Sequence, residues 1–93
     1  MQTGGASPTA VVIAGDEVIR VLLRGLLRLH HYQIVGEAVG EEEGLSLLRD
    51  HSPQLLIADM GLADGAVPSL LAEARRTVPG LRSVIVVPHD GSD

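Results

Sequence analysis

"TAVVIAGDEVIRVLLRGLLRLHH" (residues 9–31) changes its period in the middle, and that change decides the fold. Up to residue 14 it is an unbroken run of β-branched and small apolar residues, the pattern of a strand buried on both faces. From Glu17 onward the apolar residues recur at helical spacing. Val18, Leu22, Leu26 and Leu29 form one row, and Ile19, Leu23 and Leu27 form the next. Arg20, Arg24 and Arg28 make a third row, which reads as the solvent face of the helix, with partner docking a secondary use. Gly25 weakens such a helix by about 1 kcal/mol relative to Ala, which two apolar rows outweigh.

The alternation continues along the chain. "QIVGEA" (33–38) is a half-polar strand, expected at a sheet edge. "GEEEGLSLLRDH" (40–51) is a helix with acids in its first turn and Arg49 and His51 near its end, the placement favoured by the helix dipole. "QLLIAD" (54–59), after Pro53, is a second fully apolar strand. "GAVPSLLAEARRTV" (65–78) is a helix with Pro68 near its first turn, stopped by Pro79-Gly80. "RSVIVV" (82–87) is a last buried strand. The order β-α-β-α-β-α-β predicts an α/β fold, a parallel sheet with right-handed crossovers. Its expected strand order is the flavodoxin-like 2-1-3-4, over residues 9–88. A flexible lead (1–8) precedes it and a polar tail (89–93) follows.

Composition narrows the function. Ninety-three residues, 45% of them apolar, suit one small domain with a modest core. Phe and Trp are absent and Tyr32 is the single aromatic, so Leu, Val, Ile and Ala must fill that core. A net charge of −5 disfavours a nucleic-acid surface. The absence of Cys excludes disulfides and Cys-based zinc sites. "MQTGGASPT" has no signal-peptide pattern. No apolar run approaches the roughly 18 residues that span a bilayer, so no membrane association and a cytoplasmic location are expected.

The acids point to the chemistry. Strands one and three are neighbours in the expected order, and ligands of open parallel sheets bind beyond the carboxyl ends of such strands. Those ends carry Gly15-Asp16-Glu17 and Asp59. A carboxylate closing the buried run "LLIAD" is costly without a partner. Carboxylates converging on one rim call for a cation, and an all-oxygen donor set suits Mg²⁺. For Asp16 the structural alternative is a helix N-cap, which is compatible with metal binding. Glu41-Glu42-Glu43 reads as a solvated first turn. His30 and His31, about 100° apart on a helix, cannot share a metal.

On "VVIAGDEVIRVLLRGLLR", "YQIVGEAVGEEEGLSLLRDHSPQLLIAD" and the following "MGLADG", the chain resembles the receiver domain of two-component response regulators. The resemblance spans roughly residues 9–88. It implies a phosphorelay role, with a histidine kinase or phosphotransfer protein as partner and no enzymatic turnover by the domain itself. It makes Asp59 the phosphoacceptor, Asp16 a direct Mg²⁺ ligand, and Gly61 the residue whose backbone carbonyl completes the metal site. The Asp-Gly expected after the acceptor is Asp64-Gly65.

The departures matter equally. Gly15 stands where the family has the first acid of its pair, and Pro88 stands where it has a Ser or Thr. The usual Pro after the acceptor is absent. The chain ends before the family's fourth helix, fifth strand and fifth helix, and all seven of its cations are Arg, so no Lys is available. Two expectations follow: inefficient phosphorylation with weak Mg²⁺, or a phosphorylation-independent pseudo-receiver serving interaction and dimerisation. With the fifth strand missing, the fourth becomes an apolar edge, so a homodimer or a partner covering that strand is expected. Other classes fit worse. The first loop lacks the G-x-G-x-x-G of dinucleotide binding, Gly61 breaks the D-x-D of haloacid-dehalogenase-type phosphatases, and no helix-turn-helix follows.

Overall fold

Alternating apolar runs and amphipathic segments produce the expected order in the computed structural model, which describes residues 7–59 and 66–87. The elements are β1 (Thr9–Ile13), α1 (Glu17–Leu29), β2 (Gln33–Ala38), α2 (Glu41–His51), β3 (Leu55–Asp59), α3 (Ala66–Thr77) and β4 (Arg82–Val86). All pairings are parallel and the sheet order is β2-β1-β3-β4, so the half-polar β2 does lie at an edge.

Strand periodicity sorts the core into two layers. On one face Val11, Ile13, Leu56 and Ala58 pack with Leu48 of α2 and Leu70 and Ala74 of α3. On the other, Ala10, Val12, Ala14, Leu55 and Ile57 meet Leu23 and Leu27 of α1. Two helices therefore cover one face and a single helix the other. The first layer is tight because glycine lets α2 sit down on the strands. A Cβ on Gly44 would lie 2.2 Å from Ile13 Cδ1, and one on Gly36 would lie 2.7 Å from a Leu47 methyl.

The helix α1 is rotated from its expected setting. Only Leu23 and Leu27 of its apolar residues are buried, with Ile19 packed alongside. The row of Val18, Leu22, Leu26 and Leu29 faces outward, with Leu22 66% and Leu29 71% exposed. The arginine row, expected to be a solvent face, instead leans on the sheet at two of its three positions. Arg24 grips Glu37 of β2 with Nε and a second guanidinium nitrogen, at 2.7 and 2.8 Å. Arg20 donates to the Ala14 carbonyl at 2.7 Å, while Arg28 is exposed. A two-pronged ion pair orients a helix more sharply than a choice between two equally apolar rows.

That pair has a pH signature. The hydrogen bond from Arg24 holds the Glu37 carboxyl below the ordinary glutamate range; partial burial opposes this, and the positive charges of Arg24, Arg20 and Arg28 add to it. A carboxyl with a depressed folded-state pKa stabilises the fold above its unfolded pKa. That contribution disappears as pH falls through the folded value. Glu37→Gln should therefore show a lower urea midpoint than wild type at neutral pH. The gap should close on acidification below the ordinary glutamate range, and a gap constant with pH would refute the assignment.

Among the described residues no helix is long and apolar enough to cross a membrane.

Candidate functional site

Asp59 is 3% exposed, the one buried charged side chain among the described residues. It closes β3 after four buried apolar residues. On one side its register partner is Val86 of β4. On the other, Ala58 pairs with Ile13, which sets Asp59 alongside Ala14 where β1 ends. The carboxylate thus stands at the carboxyl rim of the two central strands, where the sheet order reverses.

Asp16 lies on the same rim, two residues beyond Ala14. It is the N-cap of α1: its backbone is extended and its Oδ1 accepts a hydrogen bond from the Ile19 backbone N–H at 3.1 Å. Capping engages one carboxylate oxygen and leaves a cation role open to the other. Gly15 is exposed, and a Cβ built on it would meet only the Val39 carbonyl, at an ordinary 3.7 Å. Packing therefore does not demand glycine where the receiver pattern has an acid. Gly61, Asp64-Gly65 and Pro88 lie outside the described residues.

The two site acids that the structure describes follow or close neighbouring strands, and both offer oxygen donors, the chemistry a hard divalent cation prefers. Among the described residues there is no group of three or more His, Cys, Asp or Glu that could hold a metal. His30 caps the C-terminus of α1 and His31 follows with a left-handed backbone (φ 67°). Glu41 accepts from Ser69 Oγ at 3.2 Å and ties α2 to α3, while Glu42 and Glu43 are exposed.

Sequence reasoning missed Arg20. Its hydrogen bond to the Ala14 carbonyl brings a permanent positive charge to the rim where Asp16 and Asp59 stand. Helical spacing grouped Arg20 with exposed arginines. Only the rotation of α1 shows that it points inward. A cleft of about 700 Å³ opens at the opposite pole, lined by Pro8, Tyr32, Pro53, Gln54, Val78 and Arg82, and it contains none of the acids.

No protein-family model matches the chain. Among curated proteins it is 38% identical over 77 residues to the transcriptional regulatory protein PdtaR of Mycobacterium tuberculosis. That match covers 80% of this chain but spans only 38% of the relative's length. Among solved structures, the signal receiver domain of the putative response regulator NarL from Mycobacterium tuberculosis superposes with a TM-score of 0.78 at 25% identity. It covers 92% of this chain and 70% of that one. A LuxR-family two-component response regulator from Aurantimonas sp. SI85-9A1 gives a TM-score of 0.80 at 21% identity, covering 92% and 62%. At that identity the likeness speaks for the fold. Motif, register and curated relative agree: the chain has the flavodoxin-like receiver fold and is similar to the receiver domains of two-component response regulators.

Proposed function

We propose that this chain is a phosphorelay receiver module that accepts a phosphoryl group on Asp59 from a histidine kinase or phosphotransfer protein. The observation that carries the reading is a buried carboxylate closing an otherwise apolar central strand at the switch point of the sheet. A carboxylate oxygen of Asp59 attacks phosphorus, and a P–O bond forms as the bond to the leaving group breaks. The electron pair departs with the leaving group. Catalysis of such a step is positioning plus neutralisation of charge on the equatorial oxygens. Asp16, Asp59 and the Gly61 backbone carbonyl would hold Mg²⁺ weakly, and bound Mg²⁺ would supply part of that neutralisation. Arg20 supports the same rim from α1. With no Lys in the chain, transfer is slow.

A second reading is favoured by Gly15: the domain is a pseudo-receiver that works through protein contacts without phosphorylation. One experiment separates the two. Prolonged incubation with acetyl phosphate and Mg²⁺, read by intact mass, should add one phosphate; no uptake supports the pseudo-receiver.

The rim also predicts a gain of function. Gly15→Asp restores the second acid at an exposed position with room for it. A further carboxylate a few Å from a divalent cation is attractive even at a screened, surface dielectric. Mg²⁺ affinity should rise about tenfold, a gain of ~1.4 kcal/mol. Titration calorimetry or chemical-shift titration measures this, and unchanged affinity would place the metal away from Asp16 and Asp59.

A further inference from the structure

The outward row of α1 is an apolar surface with nothing of this chain over it among the described residues. Val18, Val21, Leu22, Leu26 and Leu29 are all exposed. Beside them the sheet is open as well. Val84 pairs with Ile57, which faces α1, yet Val84 remains 47% exposed. The segments outside the described residues, 1–6, 60–65 and 88–93, are six residues each, and "PHDGSD" contains no aliphatic side chain.

We infer that this face binds a second copy of the same chain, α1 against α1 in antiparallel orientation about a two-fold axis. Three observations select that occupant. The first is register. With Leu22 over Gly25 of the second copy, Val18 falls opposite Leu29 and Val21 opposite Leu26, so all five exposed aliphatic residues of each helix find a partner. Gly25 lies on this face with no atom within 4 Å of where its Cβ would be, and it lets Leu22 of the other helix approach closely. The second is charge. Asp16 and Glu17 stand at one end of α1, and Arg28, His30 and His31 at the other. An antiparallel pair sets each acidic end beside a basic end and opposes the helix dipoles. The third is area. Five aliphatic residues half to two-thirds exposed present on the order of 500 Å² of apolar surface, near the upper end of what monomers leave bare. Two copies together bury roughly 1,000 Å², the lower bound for a specific interface. The two-fold axis makes the contact isologous and closed, so it gives dimers rather than fibres.

This assembly does not depend on phosphorylation of Asp59 and is tested separately. Light scattering and sedimentation of the 93-residue chain should report a dimer at micromolar concentration. Leu22→Asp sits at an exposed position, so its fold should be retained, as checked by circular dichroism. It should weaken the dimer on the order of a hundredfold or more, because both copies carry the charge into the centre of the contact. The chain has no native Cys, so the double variant Val18→Cys/Leu29→Cys gives a clean cross-link. Within one helix these positions are about 16 Å apart; that exceeds what a disulfide spans, so oxidation should yield a covalent dimer. Three results would overturn the inference. They are a monomer at high concentration (the face then belongs to another partner or a longer chain), a dimer indifferent to Leu22→Asp, and a dimer that fails to cross-link.

Discussion

On the proposed receiver reading, Asp59→Ala should abolish phosphoryl uptake: under acetyl phosphate and Mg²⁺ the wild-type chain should gain one phosphate and the variant none. The expected loss is complete rather than graded because the proposal makes Asp59 the nucleophile itself. Removing a helper such as Arg20 only slows the step, whereas removing the attacking oxygen leaves no route at this rim. The modified species should be stable in acid and labile in base, as an acyl phosphate is, which separates it from a phosphate ester on Ser or Thr. Phosphate that persists on Asp59→Ala would place the acceptor elsewhere. A cooperative melt of the variant is the necessary control, since Asp59 is buried and shares its strand with the core.

Leu56→Ala should be the most damaging of these substitutions to the fold. Leu56, in β3, is fully buried in the layer formed with Val11, Ile13, Leu48 and Leu70. Its neighbours come from two strands and two helices, and the tight seating of α2 through Gly44 and Gly36 leaves little freedom to collapse into the void. Removal of a buried Leu side chain costs about 2–5 kcal/mol, rising with the cavity that remains. A domain of this size has only about 5–15 kcal/mol in total. The urea midpoint should fall steeply while the slope stays the same. Val39→Ala, at an exposed position, should stay within about 0.5 kcal/mol. Equal effects at the two sites would contradict the placement of the core.

The alternation of elements, their approximate bounds and the strand order were legible in the sequence, because they rest on local rules. A β-branched run that gives way to a 3.6-residue period must become a strand followed by a helix. Parallel crossovers and the switch point then bring the ends of strands one and three together. For the same reason the placement of Asp16 and Asp59 beyond the ends of neighbouring strands follows from chain order and strand order alone. The rotation of α1 was not legible. Its two apolar rows are equally hydrophobic, so periodicity alone cannot say which faces the sheet. The bidentate grip of Arg24 on Glu37 decides it, and that contact depends on the position of β2. From the same rotation follow the inward Arg20 and the outward row of Val18, Leu22, Leu26 and Leu29. The seating of α2 on Gly36 and Gly44 is likewise tertiary, since a glycine in sequence does not reveal which side chain would occupy the space of its missing Cβ. Local periodicity determines which elements form and where the strand ends meet, while side-chain contacts between elements distant in sequence decide which face each helix buries.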